Sequence, residues 1–487
     1  MAHIKELINQ KISLNLLYYI VSVSLIFLIL SKSDLSIYEF SKYELIIFIL
    51  IFMVSVYFES KKENILLKIL IIHCFIFYII AIPYSIINSG ASLLYARNIN
   101  SSQLPESLLI LCYQYFALFF SIYVINPTIN YSSKKIRINE INFLFNFLIF
   151  LCVANLIFII FGEIDYESYR KWFAIFFNIF NLTKIAFMFT ILFFLVFVEK
   201  IKVNNLLLKS ILFYTIYLIS FSLQGSRSSI LFLILILILC SVYYLNLKKL
   251  KILNLLTIFL LAIFSAIGFY ISTVIRGYNY LHTYGTNNLY MKELNTFYDF
   301  THRWITQNGF GTIWGLFDRI SYFDFYLEKL INFKYYEQFI NLSYYYKPLL
   351  DRITPGFELY NVPLATKILQ DSFFKQYFIE NYLGTIYNST VTNSEQITIF
   401  AESHILFGFY SIFYYFVIFY LLKILLNFFK KINNQIFIQI LNMSILLLFF
   451  DWITGFGMDM SIMLTLYHFV FLIIIFFIFK AYLIFKK

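Results

Sequence analysis

Two ionisable residues stand almost side by side where the chain passes from a long polar stretch back into an apolar run. They are Glu402 and His404, in Ile399-Phe400-Ala401-Glu402-Ser403-His404-Ile405-Leu406-Phe407-Gly408. An ionisable side chain at the point where a chain re-enters a membrane is a functional candidate by default. A carboxylate or imidazole there can act as a general base toward a hydroxyl, such as that of a sugar. The competing reading is structural, with Glu402 capping the helix and His404 packing against a neighbour. A second set of candidates is cationic. Arg227 lies in Leu223-Gln224-Gly225-Ser226-Arg227-Ser228-Ser229, which is short enough to be a tight hairpin between two apolar runs. A fixed guanidinium flanked by hydroxyls, next to a glycine that permits close backbone approach, suits a phosphate or diphosphate. Otherwise Arg227 snorkels to outer headgroups. Arg276, in Val274-Ile275-Arg276-Gly277-Tyr278, borders the next boundary on the same side. Arg303 follows His302, Arg319 follows Asp318 and Arg352 follows Asp351. Adjacent residues on a helix point in different directions, so the two Asp-Arg neighbours read first as solvated surface.

Absent motifs narrow the chemistry. No P-loop, no GxGxxG after a strand, no DxD and no HExxH occurs in the chain. Nucleotide-driven transport and a self-contained nucleotide-sugar domain are therefore disfavoured. Cys74, Cys112, Cys152 and Cys240 all fall inside apolar runs, where cysteine behaves as a small hydrophobe, and they have no zinc spacing. No metal and no cofactor is expected.

The elements that must position these residues are membrane helices. The chain has 487 residues, 61% of them hydrophobic and 13% charged, with a mean hydropathy of +0.79. Apolar runs of about 18 to 24 residues recur along it, the length a helix needs to cross a hydrocarbon core of about 30 Å. The reading is an all-α polytopic membrane protein with about twelve spans. Nine lie in residues 1–273, near Ile12 to Leu30, Glu44 to Phe58, Ile65 to Ile87, Ser107 to Ile125, Ile141 to Phe161, Phe173 to Val198, Leu206 to Leu223, Ser229 to Leu245 and Ile252 to Thr273. Three more lie in residues 396–487, near Ile397 to Phe428, Ile436 to Phe450 and Ser461 to Phe479. The first run lacks a small-residue cleavage site and is expected to stay as a span. Lys68, Lys184 and Lys209 fall near span ends, where snorkelling explains them.

Residues 274–395 are the one long interruption, holding half of the 14 glycines and half of the 6 prolines. Two stretches within it, Tyr290 to Trp304 and Ile313 to Ile331, have the spacing of amphipathic surface helices. Lysines and arginines cluster on alternate short connections, including Lys61 with Lys62, Lys134 with Lys135 and Arg137, Lys248 with Lys249 and Lys251, and Lys430 with Lys431. The positive-inside rule puts these connections and both termini in the cytoplasm and the long loop outside. The net charge of +11 is thus mostly a topology signal, and nucleic acid is not an expected partner.

About twelve spans, a Gly-Ser-Arg-Ser turn at Gly225 to Ser228, one large outer loop, and Ala401-Glu402 followed by Phe407-Gly408 resemble the bacterial O-antigen and oligosaccharide repeat-unit polymerases (Wzy-like). A second glycine often found shortly after the Phe-Gly is missing here, where Ser411 stands. The resemblance implies a GT-C-like helical fold in the bacterial inner membrane. It also implies transfer of a glycan from a polyprenyl diphosphate onto a lipid-linked repeat unit on the outer face, with membrane lipids and a chain-length regulator protein as further partners. Diphosphate binding is thereby carried onto Arg227 and Arg276, and more remotely onto Arg303, Arg319 and Arg352. An O-antigen ligase, transferring finished glycan to a lipid A core, and a flippase for lipid-linked oligosaccharide are the rival expectations. The ligase usually has a histidine late in the loop, which Asn388 to Gln396 lacks, and a flippase has little use for a large outer loop.

Overall fold

In a hydrocarbon medium each apolar segment must close its own backbone hydrogen bonds, and an uninterrupted run of Leu, Ile, Val and Phe does so as a helix. The computed structural model describes residues 2–31, 42–62, 64–80, 104–129, 138–161, 181–199, 201, 203–223, 227–246, 398–431 and 435–454, with further helical residues within 261–275 and 469–478. Among the described residues there is no strand. The helices are α1 (Ala2–Ser31), α2 (Lys42–Lys61), α3 (Ile65–Cys74, continued by a π-helix Phe75–Ile80), α4 (Leu104–Ile125), α5 (Ile138–Phe161), α6 (Leu182–Glu199), α7 (Leu206–Leu223), α8 (Arg227–Asn246), α9 (Ile399–Phe407), α10 (Ser411–Phe429) and α11 (Gln435–Thr454). Five stretches among the described residues are long and apolar enough to cross a membrane: Tyr43–Lys61, Pro105–Ile125, Leu182–Glu199, Ile399–Phe429 and Ile436–Thr454. The protein is an α-helical membrane protein.

The chain divides into two units. The first comprises Met1–Asn130, Asp318–Lys431 and Ile445–Leu466; the second comprises Tyr131–Phe317, Ile432–Ser444 and Tyr467–Lys487. In the first unit α4 is the central helix, packed against α2, α3, α9 and α10. Its contacts toward α10 advance in the same direction along both segments, from Tyr113 with Phe409 in the 3₁₀ turn that precedes α10 to Phe120 with Phe416 and Ile125 with Lys423 on α10 itself. The two therefore run parallel. At the end of α4 the Lys62 Nζ donates to the Tyr123 carbonyl (2.6 Å) and the Lys423 Nζ to the Ile125 carbonyl (2.8 Å). A helix C-terminus leaves such carbonyls without intrahelical partners, and ammonium groups are favourable there. Two lysines, one from the end of α2 and one from α10, thus meet at one end of this unit.

In the second unit α6 holds the centre, buried almost all round from Leu182 to Val196. Its Phe189 ring meets Phe145 of α5 at 4.9 Å edge-on and stacks on Phe213 of α7 at 3.9 Å. The Thr190 hydroxyl bonds the Tyr214 hydroxyl at 3.0 Å, so α6 is pinned by apolar area and by one polar pair.

Helix bounds follow the sequence expectation closely in places: α7 occupies Leu206–Leu223. Two expectations differ. The run expected as a single span from Ile397 to Phe428 is broken into α9, a 3₁₀ turn at Gly408–Tyr410, and α10. Lys184, expected to snorkel, is 5% exposed near the start of α6. All four cysteines are buried and free.

Candidate functional site

The short helix α9 carries the site. Thr398 starts it, with extended backbone and a side-chain oxygen accepting from the Ala401 N–H (3.3 Å), the usual role of an N-cap threonine. Glu402 is therefore not the cap. Its backbone N–H bonds the Thr398 carbonyl (2.9 Å) and its Oε2 accepts from Trp452 Nε1 (3.1 Å). Gly408 ends the helix at φ +52°, ψ −129°, a conformation open to glycine and costly for other residues. A Cβ there would meet nothing within 4 Å, so the constraint is conformational and not spatial. The break frees backbone groups, and they find partners. The Gly408 N–H returns to the His404 carbonyl, the Gly408 carbonyl accepts from Gln114 Nε2 (3.2 Å), and the Phe409 carbonyl accepts from the Tyr113 hydroxyl.

Gln114 gathers the rest. Its Nε2 also lies 3.4 Å from His404 Nδ1, and its Oε1 lies 3.2 Å from both the Ser403 and Tyr415 hydroxyls. Ser403 and Tyr415 bond one another as well. Trp452 sits edge-on to Tyr414 and obliquely to Tyr415, each at 6.2 Å. Glu402 is 1% exposed and His404 8%, with Gln114 and Tyr415 at 0%. Asp451 is buried beside Trp452.

Depth is the notable feature. Gln114 lies ten residues after the start of α4 at Leu104 and eleven before its end at Ile125, or about 15 Å from either end at 1.5 Å per residue. Glu402 and His404 were expected at the outer boundary. Both stand in the first turns of the apolar stretch Ile399–Phe429, and His404 meets Gln114 near the middle of α4. An apolar cleft of about 380 Å³ between α10 and the end of α11, lined by Ile418, Leu421, Leu425, Leu448 and Phe449, also touches Trp452.

Of the other sequence candidates, Arg227 is the first residue of α8, with only its backbone described. Arg276, Arg303, Arg319 and Arg352 lie outside the described residues, as does the whole stretch from 276 to 397. No group of three or more metal-ligating side chains occurs among the described residues. Sequence reasoning missed Gln114, Ser403, Tyr415 and Trp452. Gln114 had one usable signal, an amide in the middle of the apolar run from Leu108 to Ile125. No family model matches the chain, and neither the curated proteins nor the solved structures contain a match to it.

Proposed function

We propose that this protein is a membrane glycosyltransferase that polymerises polyprenyl-diphosphate-linked oligosaccharide repeat units into a surface polysaccharide such as O-antigen. The reading includes about twelve spans in a GT-C-like arrangement, cytoplasmic termini, a large loop over residues 274–395, and reaction on the outer face of the bacterial inner membrane. The observation that carries it is the pairing of Glu402 and His404 on one short helix, buried in a polar cluster beside the midpoint of α4. Placing a carboxylate, an imidazole and an amide at that depth is expensive, and proteins retain such groups where they serve a reaction or a path.

In the transfer, an acceptor hydroxyl oxygen forms a bond to the anomeric carbon of the donor glycan. The bond from that carbon to the diphosphate oxygen breaks, with its electron pair leaving on the diphosphate, and the hydroxyl proton passes to a base, Glu402 or His404. Diphosphate binding is proposed for Arg227 and Arg276, and for Arg303, Arg319 and Arg352, since guanidinium groups stabilise the charge that develops on a departing diphosphate. Lipid-borne substrates fit a protein whose apolar cleft borders the residue that bonds Glu402. Because both candidate bases are nearly fully buried, substrate entry must part the side chains around them before the proton moves.

The test is reconstitution in liposomes with lipid-linked repeat units. Wild type is expected to yield a ladder of polymer, and the double variant Glu402→Gln, His404→Gln to leave single units. A full ladder from the double variant contradicts the assignment.

A further inference from the structure

We infer that the turn Gly408–Tyr410 is a flap over the buried cluster, hinged at Gly408 and latched from α4 by Tyr113, which parts into lipid to pass the apolar chain of a lipid-borne ligand. The identity of the ligand rests on the glycosyltransferase reading above; the flap does not. Ser403 and His404 are buried, yet the Phe409 ring, which meets the His404 ring edge-on at 5.9 Å, is 66% exposed. On this side the cluster is covered by the thickness of one ring.

The backbone that carries the ring can turn. Gly408 has a φ of +52°, in a region that glycine enters at little cost, and a Cβ placed on it would meet nothing within 4 Å. Open space therefore lies beside the pivot, and no residue of the turn is buried. What holds the turn down comes from α4. The Tyr113 hydroxyl donates to the Phe409 carbonyl, the Gln114 side chain bonds the Gly408 carbonyl at 3.2 Å, and the Tyr113 ring lies edge-on to Phe409 at 5.3 Å. This is a light fastening, since one hydrogen bond shifts an opening equilibrium by about fivefold.

The direction of opening follows from depth. Tyr113 lies nine residues after the start of α4 at Leu104 and twelve before its end at Ile125, near the middle of a helix of about bilayer length. The Phe409 ring beside it, with the exposed Tyr410 and Phe413, therefore borders hydrocarbon and not water. Glu402 stands seven residues before Phe409, about 10 Å at the helical rise, toward the start of α9. A lipid-borne ligand whose diphosphate end reaches the level of Glu402 has its prenyl chain at the level of Phe409, and that chain enters sideways from the bilayer as the flap swings aside.

Cysteine labelling of the full chain in liposomes tests the flap. In Ser403→Cys a thiol sits beneath it, and the native Cys74, Cys112, Cys152 and Cys240, all buried and free, report any wider opening. A maleimide joined to a fatty acyl chain is expected to label Ser403→Cys faster than a charged maleimide that stays in water. Adding Tyr113→Phe removes the latch bond and is expected to raise the rate about fivefold, and adding Phe409→Ala to raise it further, with the native cysteines labelled as before. Rates unmoved by both additions, a rise shared by the native cysteines, or faster labelling by the charged reagent overturns the proposal. If Ser403→Cys does not fold, amide hydrogen exchange across residues 406–411 decides: Tyr113→Phe is expected to speed it, and unchanged exchange overturns the flap. Neither readout uses polymer, so the two readings fail separately. A flap that opens in a protein making no polymer removes the glycosyltransferase reading alone, and unchanged labelling in a protein that makes polymer removes the flap alone.

Discussion

Trp452 and Gln114 hold the two candidate bases by different means, and the difference can be measured. Trp452→Phe keeps an aromatic ring against Tyr414 and Tyr415 but removes the N–H that Glu402 Oε2 accepts. Leaving a buried acceptor without that partner costs about 1–3 kcal/mol, so a lower unfolding temperature in detergent is expected, with polymer synthesis reduced. An unfolding temperature equal to wild type would mean that the indole bond contributes nothing. The role proposed for Arg227 is bidentate recognition of a diphosphate, which lysine cannot reproduce. Arg227→Lys is therefore expected to shorten the polymer nearly as much as Arg227→Ala, and wild-type chain length in the lysine variant contradicts a diphosphate clamp. Glu402 and His404 were legible in the sequence because charge is conspicuous in an apolar run. Gln114 was not, since its partner His404 is 290 positions away and only the packing of α9 on α4 joins them.

At the scale of elements, hydropathy told where helices lie, as the agreement at α7 shows. It did not tell where one breaks. A glycine in an apolar run is compatible with a straight helix, and Gly408 becomes a terminator only when its φ of +52° and the bond its carbonyl accepts from Gln114 are seen together. The break sets α9 apart from α10, so that Ser403 and His404 face Gln114 and not lipid. Gly408→Ala puts a Cβ into open space yet forces a disfavoured backbone conformation, at a cost of about 1–3 kcal/mol. The variant is expected to unfold at lower temperature and to make less polymer; unaltered stability would show that the turn tolerates a side chain. Lys184 is a second lesson at this scale. Proximity to a helix end suggested a snorkelling lysine, but the central position of α6 in its unit leaves the side chain 5% exposed.

For the molecule as a whole, orientation is an expectation drawn from the lysine clusters. Lys62 and Lys423 converge on the end of α4. A fluorescent protein joined after Lys487 is expected to fold and fluoresce in the cytoplasm, and alkaline phosphatase inserted within residues 274–395 to be active outside it. The opposite pair of results would invert the topology and remove the outer loop from the reaction. The arginines Arg276, Arg303, Arg319 and Arg352 lie outside the described residues, so their part in the site is testable only through activity. The most direct test of the central claim is a gel of surface and lipid-linked polysaccharide from cells lacking this protein, beside cells in which it has been restored. A surface glycan that collapses from a ladder to one repeat unit, and regains the ladder on restoration, is the expected result. Long polymer accumulating on the polyprenyl carrier, as a missing ligase would leave it, or single units trapped on the cytoplasmic leaflet, as a missing flippase would, contradicts it.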